Sequence, residues 1–165
     1  YNEMLENGTR MLASVNAINL WLAKVAGQYD PILTAYNLPF DMDKCNKTGI
    51  DLTIFKNSFC MWRVAFNKYA MTKSYKNFTM QIHAINPPTK FGNCSFQTNA
   101  EIMTKFITKN PELAEEPHLA LEDVIYYELL ILKNMLKNMT KSELLENDLG
   151  FDWRKVQLKN HFKAI

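Results

Sequence analysis

The chain has 165 residues, a formal net charge of +2, 47% hydrophobic side chains and 12% aromatic ones. That composition excludes a disordered chain, and the absence of a basic stripe interleaved with aromatics leaves nucleic-acid binding without support. The length suits one domain, 1–165, that buries a core without staples, and five glycines are few for a protein built on tight β-turns.

Helical periodicity predicts a first helix from Glu3 to Ala26. Met4, Leu5, Met11, Leu12, Val15, Ile18 and Leu22 form its apolar face, and Gly27 is its stop. Asp30-Pro31 reads as a helix start, opening a two-turn helix that Pro39 ends. A loop over 39–49 then carries Cys45.

Asp51 is placed to cap the next helix. There Phe55, Phe59, Trp62, Phe66 and Tyr69 recur at spacings of four, three, four and three. On a helical wheel they fall within about 80° of one another. Such a stripe is ordinarily core packing; its functional reading is one wall of a hydrophobic ligand cavity. On the same wheel Cys60 points away from the stripe, towards Lys56 and Asn67, which favours a bonded cysteine.

Tyr75, Phe78, Ile82 and Ile85 resume helical spacing, although the alternation of Phe78, Met80 and Ile82 also suits a strand. Pro87-Pro88 ends the element, and 89–97 reads as a loop. Thr98 with Glu101 is a capping-box signature, opening a helix with Ile102, Met103, Phe106 and Ile107 inward. Asn110-Pro111 ends it.

The most apolar run, Leu119–Met139, is predicted to be the central helix, introduced by Pro117. Leu121, Val124, Ile125, Leu129, Ile131, Leu132, Met135, Leu136 and Met139 share one face, and the segment around Val124–Leu132 is expected to be buried nearly all round. A membrane span needs about 20 apolar residues. Glu122, Asp123, Glu128 and Lys133 interrupt this run, so a core helix is expected. Glu128 then stands in the apolar face. A carboxylate there needs a basic partner or a proton, unless it lines a cavity and holds the polar end of a ligand. Leu132 would line the same cavity. Thr140 with Glu143 forms a second capping box, opening a helix that Gly150 closes. Asp152 caps a last helix with Trp153, Val156, Leu158 and Phe162 as its apolar members and Arg154, Lys155, Lys159 and Lys163 as its polar ones.

Many caps and little strand signal predict an all-α fold, a helical bundle or irregular helical globule of about six helices around 119–139. The compartment signal is glycosylation. N-x-[ST] occurs at Asn7, Asn46, Asn77, Asn93 and Asn138, where chance in an Asn-rich chain gives roughly two. Five sequons point to the secretory pathway and an extracellular protein. Cys45, Cys60 and Cys94 allow one disulfide, with Cys60–Cys94 favoured and Cys45–Cys60 and Cys45–Cys94 open. The remaining thiol is buried and inert, or joins chains into an oligomer.

No nucleophile elbow, zinc-protease pair, P-loop or dinucleotide fingerprint is present. His83, His118 and His161 lie far apart. The expectation is therefore no enzyme, no cofactor and no metal site. Two functions remain. One is an extracellular protein-interaction domain: a cytokine-like ligand, an effector or an assembly subunit. The other is a carrier of a small hydrophobic ligand such as a lipid, pheromone or hormone, held in an internal apolar cavity.

Overall fold

Strands pair where the sequence shows only helix and loop signals. The computed structural model describes residues 2–114, 120–152, 154–155 and 160–163, and it is 59% helical. Among the described residues five short strands form two small sheets, so the expected all-α fold is corrected to a helix-rich mixed α/β one. The strands run two to four residues, too short for an alternating pattern to stand out from helical periodicity. The chain divides into two units, one of Tyr1–Leu33 and Pro39–Ser58, the other of Thr34–Leu38 and Phe59–Ile165.

In the first unit the expected single helix is two: α1 (Asn2–Glu6) and α2 (Val15–Tyr29). Gly8 breaks them apart at φ 74°, a left-handed turn that glycine adopts without strain. The Asn7 carboxamide oxygen accepts from the Thr9 N–H and hydroxyl, at 3.0 and 2.7 Å. Ser14 caps α2 by accepting from the Ala17 N–H. The helix runs through Gly27 and closes on Asp30, whose φ of 43° turns its N–H onto the Ala26 carbonyl. Asp30 thus ends a helix rather than starting one, and Pro31 follows as it commonly does after such a cap. Ile32–Ala35 forms strand β1 instead of a short helix. Helix α3 (Leu38–Lys47) takes the place of the predicted loop. Pro39 sits in its first turn, where a missing N–H breaks no hydrogen bond. Asp51 caps no helix: its carboxylate accepts from the Thr53 N–H and hydroxyl in a local turn. The Asn19 carboxamide donates to the Gly49 carbonyl and accepts from the Asp51 N–H, tying α2 to that turn. No described residue of this unit is buried.

The second unit holds all the buried residues described. Strand β2 (Asn57–Cys60) pairs with β1 and runs into helix α4 (Met61–Ala65), which continues as a π-helical segment, Phe66–Ala70. Helix α5 (Lys73–Gln81) follows, capped by Thr72. Strands β3 (Ile85–Asn86), β4 (Asn93–Phe96) and β5 (His161–Lys163) form an antiparallel sheet with β4 in the middle. Cys94 and Phe96 face inward from β4, and the Phe96 and Phe162 rings lie 4.8 Å apart. Phe162 is therefore a strand residue, not part of a last helix. Asp152 does accept from the Arg154 and Lys155 N–H groups. Trp153, Val156, Leu158 and Lys159 lie outside the described residues, as do Pro117 and His118.

Helix α6 (Ala100–Thr108) is capped by Asn99, which accepts from the Ile102 N–H, and not by Thr98. Then come α7 (Ala120–Asp123), a second π-helical segment (Val124–Glu128), α8 (Leu129–Asn138) and α9 (Lys141–Leu149). The expected capping box of Thr140 and Glu143 is present on α9. Among the described residues Tyr75, Phe66, Met61, Met103, Ile131 and Met135 are the largest fully buried side chains.

The central run is helical, but its expected all-round burial is corrected. Tyr127, Ile131, Met135 and Met139 face the core, while Leu121, Val124, Ile125, Leu129 and Leu136 are exposed. The π segment accounts for the N-terminal part of the change. One extra residue in a helical turn rotates everything N-terminal to it by about 100° relative to a regular helix. Asp123 is thereby turned inward, with Oδ1 buried and without a hydrogen bond among the described residues, and Val124 is turned outward. Among the described residues no helix is long and apolar enough to cross a membrane.

The aromatic stripe is broken across a loop (Phe55), β2 (Phe59), α4 (Trp62) and a π segment (Phe66, Tyr69). The strand also overturns the cysteine reading. On a helix Cys60 would face outward; in β2 it is 2% exposed. Cys45, Cys60 and Cys94 are free thiols, so the favoured Cys60–Cys94 bridge is absent.

Candidate functional site

The site nearest to the predicted one lies around Thr98. Trp62 donates its indole N–H to the Thr98 hydroxyl at 3.0 Å, and the Tyr36 hydroxyl donates to the Thr98 carbonyl at 2.5 Å. Both rings are fixed through the same residue. Beside them Asn37 sits in the left-handed region at φ 72°, a conformation Asn tolerates better than most side chains. Asn99 turns the chain into α6, and Glu128 closes the π segment of the central helix. Tyr36, Asn37, Trp62, Thr98, Ala100 and Glu128, together with Asn99, line an open pocket of about 320 Å³.

Of the seven predicted cavity residues, the structure brings only Trp62 and Glu128 to this pocket. Phe59 and Phe66 are buried in the core of their unit. Phe55 is half-buried in the other unit, Leu132 is half-buried on α8, and Tyr69 lines a different pocket. Tyr36, Asn37 and Asn99 had no signal in the sequence, since a turn residue and a helix cap are common features with no chemistry of their own. Thr98 was visible, but as a cap. The lining offers a carboxylate, two carboxamides and two aromatic rings, and the described part of it contains no histidine, cysteine or lysine. It can orient a small molecule by hydrogen bonds against flat apolar walls.

A second pocket, of about 560 Å³, lies between α5, α6 and α8. Phe106 is its centre, in ring contact with Tyr75 at 5.0 Å, Phe78 at 5.6 Å and Tyr69 at 6.5 Å. The Tyr69 hydroxyl donates to the Asn134 carboxamide at 2.7 Å, and burial pushes its pKa up.

The sequons are placed unevenly. Asn7, Asn46, Asn77 and Asn138 are exposed, and Asn93 is half-buried in β4, the middle strand of its sheet. Asn138 donates to the Asn134 carbonyl at 2.7 Å. On the α8 wheel it stands about 160–180° from the exposed Leu129 and Leu136. His83 and His161 are exposed, and no group of three or more His, Cys, Asp or Glu among the described residues is placed to hold a metal ion. No family model matches the chain, and no curated protein or solved structure is significantly similar to it.

Proposed function

We propose that this chain is a secreted, N-glycosylated domain that acts by binding an extracellular protein, without catalysing a reaction. One observation carries this reading: the partly exposed apolar face of α2. Val15, Ile18, Trp21, Leu22, Val25 and Tyr29 lie within about 120° on its wheel. Val15, Trp21 and Tyr29 are 41, 63 and 67% exposed, and Lys24 is the only charged side chain on the helix. An isolated helix of this length is marginal in water, and the unit around it buries no described residue. A partner that covers this face supplies the burial that the unit lacks, with Trp21 the natural anchor because large rings dominate such contacts. No sequon falls within α2.

The test compares wild-type protein with Trp21→Ala, both secreted by eukaryotic cells. Extracellular proteins retained by the wild type and lost by at least tenfold with Trp21→Ala support the reading. Equal retention by both overturns it, and so does a secreted mass that enzymatic deglycosylation leaves unchanged.

A second reading rests on Glu128 sharing a pocket with Trp62 and Tyr36. Its volume stands near the lower end of the range for small-ligand sites, about 300–1,000 Å³. That suits a compact molecule with a polar end better than a long lipid. Native mass spectrometry of the secreted protein tests it: a bound small molecule lost in Glu128→Gln supports it, and bare protein sinks it.

A further inference from the structure

The pocket centred on Phe106 has a sequon at its edge. Ser74, Asn77, Phe78 and Gln81, at positions i, i+3, i+4 and i+7, form the stripe of α5 that lines it. Tyr75 and Thr79, which lie off this stripe, are fully buried. Asn77 is exposed and makes no side-chain hydrogen bond among the described residues, unlike Asn138, whose amide nitrogen is committed to Asn134. Tyr69, Phe106, Ile107, Lys109 and Asn134 line the same pocket from other elements.

We propose that the first N-acetylglucosamine of a glycan on Asn77 folds back into this pocket, so that the sugar is a structural part of the second unit. This rests on the secretory reading above. In the modification the Asn77 amide nitrogen loses a proton and bonds the anomeric carbon of the sugar, while a lipid-linked diphosphate leaves with the electron pair of the broken bond. Thr79, the third residue of the sequon, is fully buried and donates its hydroxyl to the Lys76 carbonyl. Transfer therefore precedes the packing of α5.

Once attached, the sugar is tethered at the pocket edge, and tethering replaces a weak affinity with a high local concentration. The pyranose ring presents a face of polarised C–H groups, which matches the negative faces of aromatic rings. Its acetamido group and hydroxyls match Gln81, Ser74 and the carboxamide of Asn134. The pocket is large enough for the first ring, at about 560 Å³. The glycan then covers apolar surface of Phe78 and Phe106 that water otherwise wets.

Secreted protein is first mapped by glycopeptide mass spectrometry. It is then treated with peptide-N-glycosidase without denaturant, and the release rate at each sequon is followed. Release at Asn77 at least tenfold slower than at Asn138, with an N-acetyl methyl signal shifted upfield by ring currents and absent from Asn77→Gln, is the expected result. Equal release rates and an unshifted methyl overturn the proposal while leaving the secretory reading intact. Modification at other sequons with Asn77 bare also overturns the proposal alone. A protein without sugar at any sequon overturns both.

Discussion

Tyr75 shows what one buried polar side chain contributes. Its ring is fully buried against Phe106, and its hydroxyl donates to the Gln97 carbonyl at 2.8 Å. Burial pushes the phenol well above its ordinary value, because the charged form loses its water. The folded state therefore favours the protonated ring. Stability contributed by this group is complete below the unfolded value near pH ~10 and falls as the pH rises above it. Tyr75→Phe is expected to cost about 1 kcal/mol at neutral pH, since the Gln97 carbonyl is left without its donor. It should also flatten the loss of stability above pH ~10 relative to the wild type. Urea denaturation of both proteins between pH 7 and 11 measures the two effects. If Tyr75→Phe loses stability with pH as steeply as the wild type, Tyr75 is not the titrating group. Ile131 offers a purely apolar comparison. It is fully buried on α8, and Ile131→Ala is expected to cost about 2–5 kcal/mol with no pH dependence of its own.

At the scale of elements, legibility followed the range of the interaction. The capping box of Thr140 and Glu143 was readable because a cap is decided within four residues. The Glu143 carboxylate accepts from the Thr140 N–H at 2.7 Å and hydroxyl at 2.9 Å, and these bonds hold its pKa below the usual range. Its contribution is present above the unfolded value near ~4.3 and is lost as the pH falls through the lower folded one. Thr140→Ala is expected to destabilise α9 by about 1 kcal/mol at pH 7 and by less at pH 3. Denaturation at both pH values checks this, and an equal loss at both would assign the cap to the hydroxyl alone. The other box failed because Asn99, one residue on, competes for the same role and wins. The strands were hidden for a different reason. Asn57–Cys60 pairs with β1 and Asn93–Phe96 with β5, partners distant in sequence that no local pattern encodes, and β3, the near partner of Asn93–Phe96, is only two residues long. The π segment at Val124–Glu128 hid the inner face of the N-terminal part of the central helix, because a wheel drawn at a constant angle cannot register an inserted residue. The predicted cavity wall fell apart because strand β2 interrupts the aromatic stripe. Glu128 lines a pocket, but apart from Trp62 its neighbours there come from the β1–α3 turn and the start of α6.

Across the whole molecule the three thiols separate the sequence reading from the structure most sharply. An odd cysteine count read with a helical wheel pointed to one bridge, whereas strand geometry buries Cys60 and Cys94 separately as free thiols. Cys45, on α3, is half-buried, and burial together with the nearby Asp41 carboxylate pushes its pKa up. A thiol reacts as its thiolate, so Cys45 should alkylate more slowly than an unperturbed exposed thiol, yet without any unfolding of the chain. Cys60 and Cys94 have no path to reagent until their unit opens, and their rates should report that opening. Treatment of the native protein with iodoacetamide at pH 8 is therefore expected to add one group quickly, at Cys45, and two more only as denaturant is raised. The position of each adduct follows from peptide mass spectrometry. Raising the pH should speed the Cys45 reaction, as its thiolate fraction grows, while the other two stay tied to the unfolding transition. One adduct in full denaturant without reductant would show that two of the three cysteines are bridged. Three adducts at once under native conditions would show that the second unit does not close around β2 and β4.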